Sequence, residues 1–256
     1  MGKLIAITGK GGVGKTTISG LIVNSLIYKG CKPVLAIDAD PNTCLDAVLG
    51  VKVEKSVGTV REEARELAGQ GNLKGISKQE LLEFKIAESL VEANGFDLIA
   101  MGRSEGPGCY CYANNVLKAV INEISINYPY IVLDNEAGLE NLSRRIVQNV
   151  DVLIVVSDPS NRGLETVKRL YDLSAEMGIK YKKLVLIVNR TRNEEPSDLA
   201  KKIKSEIKAD YIITVTEDNE LTEISEGNQN VSEISARNKT FAKINSLMDE
   251  INITEL

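Results

Sequence analysis

Apolar runs bounded by glycine or polar clusters recur along the chain at Leu4–Thr8, Val34–Ile37, Phe96–Met101, Tyr130–Leu133, Val152–Val156, Leu184–Val188 and Tyr211–Val215. Their lengths and flanking residues predict buried strands. Segments with helical spacing lie between them, such as Ile18, Leu21, Ile22, Ser25 and Leu26 after the first run and Leu164, Val167, Leu170, Tyr171 and Leu173 after the fifth. Strands apolar on both faces that alternate with helices imply an α/β fold, a mostly parallel sheet of seven or eight strands with helices on both faces. The last segment sets Phe241, Ile244, Leu247, Met248 and Ile251 on one helical face, which predicts a helix packed back on the sheet. Residues 56–94 carry two helical patterns, Thr59–Leu67 and Gln79–Val91, joined by Gly69, Gly71 and Gly75. They are expected to form a helical excursion from the sheet, within a single domain spanning residues 1–256.

Composition narrows the chemistry. The 256 residues include no histidine and no tryptophan. That excludes Ser-His-Asp and Cys-His pairs and leaves any metal to thiolates or carboxylates. With 31 basic and 36 acidic side chains the net charge is -5, which offers no footprint for nucleic acid. The apolar start, running from Leu4 to the glycine cluster, is too short for a signal peptide's apolar region or a membrane span, so a cytoplasmic protein without membrane attachment is expected. Four cysteines are too sparse for a disulfide scaffold in a chain this long.

Directly after the first predicted strand comes Gly9-Lys10-Gly11-Gly12-Val13-Gly14-Lys15-Thr16-Thr17, a phosphate-binding loop between a strand and a helix. Amides of Gly11 to Thr17 are expected to cradle phosphates. Lys15 would neutralise the β- and γ-phosphates of ATP, and the Thr16 hydroxyl would ligate Mg2+. The fold so implied is a P-loop NTPase fold. Two acidic elements accompany it. Asp38-Ala39-Asp40-Pro41 follows the second run, where a carboxylate can reach the γ-phosphate side of the nucleotide; without histidine, a carboxylate is the natural group to position water. Asp134-Asn135-Glu136-Ala137-Gly138 follows the fourth run and fits a Walker B aspartate, Asp134 holding a magnesium-bound water, with the Gly138 amide sensing the γ-phosphate.

The extra lysine, Lys10, gives the loop the form Gly-Lys-Gly-Gly-Val-Gly-Lys-Thr-Thr, which resembles the deviant Walker A loop of the MinD/ParA/nitrogenase-iron-protein class of P-loop ATPases. The resemblance implies a homodimer in which Lys10 reaches the partner's nucleotide. It also implies that Asp40 orients or deprotonates the attacking water and Asp38 supports the magnesium shell. Asn189, at the end of the sixth run, and Asp218, in the loop after the seventh, match the positions that flank the adenine base in this class. A carboxamide can donate to and accept from that edge, although a strand-end turn asparagine accounts for Asn189 as well.

Cys109-Tyr110-Cys111 lies between the third predicted strand and a helical pattern from Val116 to Ile124. Residues two apart in an extended segment point the same way, so both sulfurs can face one metal or one partner surface. A disulfide between them would be strained. Two such pairs across a two-fold axis would give four sulfurs, suited to Zn2+ in a tetrahedron or Ni2+ in a flatter arrangement. Incidental loop thiols are the alternative, and Cys31 and Cys44 are read that way.

Together with the phosphate motifs, this pair is similar to the CooC-type ATPases that deliver nickel during maturation of carbon monoxide dehydrogenase. The runs Gly102–Tyr112 and Asp134–Glu140 look closest to members associated with acetyl-CoA synthase. Neither Asp134–Gly138 nor the chain beyond it contains a cysteine, unlike nitrogenase iron proteins, which argues against a bridging iron–sulfur cluster of that type. The implied function is an ATP-hydrolysing metallochaperone whose client is one of those two nickel enzymes. A spatial-organising ATPase of the MinD or ParA kind and an iron–sulfur carrier are the alternatives.

Overall fold

In a computed structural model, residues 2–69, 77–103, 124–138, 149–227 and 229–253 are described. Among them the chain runs β1 (Lys3–Gly9), α1 (Lys15–Tyr28), β2 (Val34–Asp38), α2 (Leu45–Leu49), α3 (Val57–Gly69), α4 (Lys78–Ala87), β3 (Val91–Glu92) and β4 (Phe96–Ala100). It continues through β5 (Tyr130–Asp134), β6 (Asn149–Ser157), α5 (Asn161–Glu176), β7 (Lys180–Thr191), α6 (Asp198–Glu206), β8 (Tyr211–Thr216), α7 (Asn219–Ser225) and α8 (Lys239–Glu250). The strands form one eight-stranded sheet in the order β3-β4-β2-β5-β1-β6-β7-β8. Every pairing is parallel except β3 with β4.

Alternation along each strand feeds two cores. Leu4 and Ala6 of β1, with Ile131 and Leu133 of β5, join Val60 of α3, Leu164 and Val167 of α5 and Ile203 of α6 on one face. Ile5 and Ile7, with Ala36 and Val132, join Ile18 and Ile22 of α1 and Phe241, Ile244 and Leu247 of α8 on the other. The α/β sheet with helices on both faces is therefore present as the periodicity implies.

Three details differ from the sequence reading. The run Gln79–Val91 is helical only to Ala87; Val91 leaves the helix to pair with Leu98 in the short antiparallel edge strand β3. Leu90 and Val91 satisfy either period, and pairing with β4 wins. Leu173 is 40% exposed, because the buried stripe of α5 runs through Leu164, Val167, Leu170 and Ser174. The short helices α2 and α7, unread in the sequence, flank the candidate site.

Helix starts show where a ligand is wanted. Ser160, Ser197, Asp218 and Asn238 each accept a first-turn amide at the head of α5, α6, α7 and α8. Helix α1 begins instead at Gly14, in the left-handed region with φ 91°, with no side-chain cap. Its first amides are left for an anion to satisfy.

Candidate active site

The sheet brings the acidic and basic residues together at the carboxyl ends of its central strands. Strands β1, β5 and β2 are neighbours, so the loop after β1 lies beside Asp134 and Asp38, which are register partners across β2 and β5. Lys15, only 8% exposed, donates from Nζ to the Lys10 carbonyl at 3.3 Å. Burial lowers its pKa; the carboxylates of Asp134, Asp40 and Glu136 oppose that shift. Thr16 and Ser19 donate their hydroxyls to Asp134, the latter at 3.0 Å. Ser19 escaped the sequence reading, although its position one helical turn beyond Lys15 puts it on the same side of α1.

Two buried carboxylates in register create an electrostatic tension. Burial pushes the Asp134 carboxyl up to about 7, with the Asp38 charge adding to it; the hydroxyls of Thr16 and Ser19 and the charge on Lys15 act the other way. Burial also pushes Asp38 up to about 6, against three backbone amides that favour its ionised form. Those amides belong to Asp40, at 3.0 Å, and to Cys44 and Leu45, each at 2.9 Å. Asp38 thus ties down the loop that carries Asp40 and caps α2, a more structural post than support of a magnesium shell alone.

Asp40 is half-buried, and its Oδ1 accepts from the Asn42 backbone amide at 2.8 Å and from Asn42 Nδ2 at 2.9 Å. Lys10 is exposed at the tip of the loop, as are Gly11 and Gly12. The Gly138 amide, expected to face a γ-phosphate, donates to the Gly9 carbonyl at 3.0 Å, while Thr8 Oγ1 donates to the Gly138 carbonyl at 2.6 Å. In this state the segment after β5 is fastened to the start of the phosphate loop.

On the other flank, Asn189 also supports the loop. Its Nδ2 donates to the Val13 carbonyl at 2.8 Å and its Oδ1 accepts from the Arg190 amide at 2.9 Å. Gly14 passes so close that a Cβ there would run into the Asn189 carboxamide. Expected at the adenine edge, Asn189 has one amide hydrogen and one lone pair left for it. Asp218 caps α7, and its Oδ2 accepts from Asn238 at 2.9 Å and Thr240 at 3.0 Å, so it anchors α7 to the start of α8. Between these two residues lies a cleft of about 290 Å³ lined by Gly14, Thr17, Ile18, Thr216, Glu217 and Thr222 among others. Apart from Gly14 and Thr17, which belong to the loop motif, these lining residues carry no motif; only the fold collects them.

Cys109 and Cys111 lie outside the described residues. Cys31 is half-buried against the apolar core and Cys44 is exposed. Among the described residues no group of three or more acidic or thiol side chains is arranged to hold a metal. None of the described helices is long and apolar enough to cross a membrane.

Residues 2–188 match the AAA_31 family, an AAA domain. The chain belongs to that family. An uncharacterized ATP-binding protein of Methanocaldococcus jannaschii is 46% identical over 192 residues, covering 75% of this chain and 76% of the relative. The carbon monoxide dehydrogenase accessory protein CooC of Rhodospirillum rubrum is 34% identical over 190 residues, covering 69% of this chain and 70% of that protein. Among solved structures, the septum site-determining protein MinD complexed with Mg-ADP from Pyrococcus horikoshii superposes with a TM-score of 0.71 at 19% identity, covering 98% of this chain and 96% of that one. A ParA family ATPase from Chlorobium tepidum gives 0.70 at 18% identity, with 98% and 99% covered. This AAA_31 protein is accordingly a P-loop ATPase on a single-domain α/β fold, and it shares that fold with MinD and ParA.

Proposed function

We propose that the protein is an ATP-hydrolysing metallochaperone, a homodimer that carries nickel on Cys109 and Cys111 and inserts it into carbon monoxide dehydrogenase or acetyl-CoA synthase. The ATPase half is carried by one observation: Lys15, Thr16, Asp40 and Asp134 converge where an uncapped helix start awaits an anion. ATP would lay its phosphates along Gly11 to Thr17 against Lys15, with the adenosine directed to the cleft between Asn189 and Asp218. Mg2+ fits the site, since the donors are hard oxygens and the paired carboxylates carry buried negative charge that a cation would relieve. Thr16 would hold it directly and Asp134 directly or through water, with Asp38 behind; bound there it neutralises charge on the β- and γ-phosphates. Asp40 orients a water whose oxygen attacks the γ-phosphorus as the bond to the β-γ bridging oxygen breaks, giving ADP, phosphate and a proton.

The cargo half is supported by the Cys-x-Cys pair in the sequence and by the similarity to a protein named for carbon monoxide dehydrogenase accessory function. Dimerisation through the exposed Lys10 would set two such pairs against one metal, nickel as cargo or zinc in the same thiolates. ATP turnover of purified protein tests the hydrolytic half. Lys15→Ala and Asp40→Ala are each expected to lose about a hundredfold or more in kcat, the scale of one transition-state contact; hydrolysis at the unaltered rate in either would contradict the assignment.

A further inference from the structure

We propose that Asn42 and Arg103 are positioning residues for ATP hydrolysis, acting on Asp40 through a chain of side-chain hydrogen bonds. The inference rests on the reading of Asp40 as the group that orients water. Both Asn42 donors end on Asp40 Oδ1, from the backbone at 2.8 Å and from Nδ2 at 2.9 Å. Neither bond uses Oδ2, the oxygen that the proposal assigns to the attacking water. Arg103 Nη2 donates to Asn42 Oδ1 at 2.5 Å. The guanidinium therefore fixes which way the carboxamide faces. Turned over, Asn42 would set its oxygen against the Asp40 carboxylate and its NH2 against the Arg103 cation, both unfavourable. With Arg103 present, Nδ2 is held on Asp40 and the carboxylate is held in one rotation.

The anchor for Arg103 is built into the backbone. Met101 donates its amide to the Asp38 carbonyl at 2.8 Å and accepts from the Gly58 amide at 2.9 Å. Gly102 then turns with φ 61°, packed so tightly on Ser56 that any side chain there would collide with it. The end of β4 is thereby tied to the end of β2, and Arg103 emerges facing the loop that carries Asp40. Asn42 and Arg103 are both exposed, where polar contacts contribute little to stability, so substitutions there should leave the fold intact. Their value lies in orientation, because small displacements of a group that positions a nucleophile are costly to rate.

The test is steady-state ATP turnover by Arg103→Ala, Asn42→Ala, the double variant and Arg103→Lys, with ATP affinity and melting temperature measured beside it. Each alanine variant should lose about tenfold in kcat with KM for ATP within about twofold of the parent, the pattern of an interaction that matters in the transition state. The double variant should lose no more than either single one, since all three break the same chain. Arg103→Lys, which keeps a cationic donor, should recover most of the rate. Parental kcat in the alanine variants, a loss carried by KM alone, losses that multiply in the double variant, or no recovery with lysine would overturn the proposal. Asp40→Ala separates the two levels. If it hydrolyses ATP normally, the underlying reading of Asp40 fails; if it is inactive while Arg103→Ala and Asn42→Ala turn over normally, only the chain of contacts fails.

Discussion

Asp134 and Asp38 face each other in register at the ends of β5 and β2, each raised above the ordinary carboxyl value of 3.8, Asp134 to about 7 and Asp38 to about 6. The folded protein therefore keeps protons that the unfolded chain releases above 3.8. Stability from this source is fully present below that value and is lost as pH rises through about 6 and about 7. The ligand-free protein is expected to melt at progressively lower temperature between about pH 4 and about pH 7, and Asp134→Asn should flatten most of that slope. Thermal melts in a pH series check this. At the same scale, the convergence of Lys15, Thr16 and Asp134 was legible because motifs fix their places at the ends of β1 and β5. Ser19, Asn42 and Arg103 were not, since each matters through a partner that no motif supplies; Ser19 and Asp134 stand 115 residues apart.

Helix α1 shows how an element is prepared for its ligand. Other helices close their first turns with serine, asparagine or aspartate, whereas α1 starts at a left-handed glycine wedged against Asn189, which in turn holds the Val13 carbonyl. Alanine at Gly14 would both strain the backbone at φ 91° and displace the Asn189 carboxamide. Gly14→Ala is expected to cost about 1–3 kcal/mol in stability and to weaken ATP binding by at least about tenfold, a change of about 1.4 kcal/mol. Chemical denaturation and nucleotide titration measure the two effects. Central strands and long amphipathic helices were readable from their periods, because burial on both faces or on one stripe leaves a plain pattern. Strand β3 was not, because a two-residue edge strand has too few positions to show a period and its sequence continues the helical pattern before it.

At the scale of the whole molecule, the strand order places β1 between β5 and β6 and β2 beyond β5, so that the phosphate loop, the Asp40 loop and the segment after Asp134 share one rim. That rim exposes Lys10, Gly11 and Gly12, the surface through which two copies would meet across their nucleotides. In the proposed function, the absence of histidine assigns the work to carboxylates on this rim and to thiolates at Cys109 and Cys111. Sequence motifs identified these groups. Asn189 and Asp218 were named in the sequence, whereas the gathering of the other residues that line the cleft between them, and the fastening of Gly138 to Gly9, came from the three-dimensional arrangement alone. The central claim, an ATP-driven dimer carrying one metal on paired cysteines, is tested most directly by native mass spectrometry of anaerobically purified protein with nickel supplied, with and without ATP, beside the Cys109→Ser/Cys111→Ser variant. The expected result is a dimer in the presence of ATP that holds one nickel or zinc ion, with the metal lost in the double variant. A metal-free monomer in ATP, stoichiometric iron, or nickel retained by the double variant would contradict it.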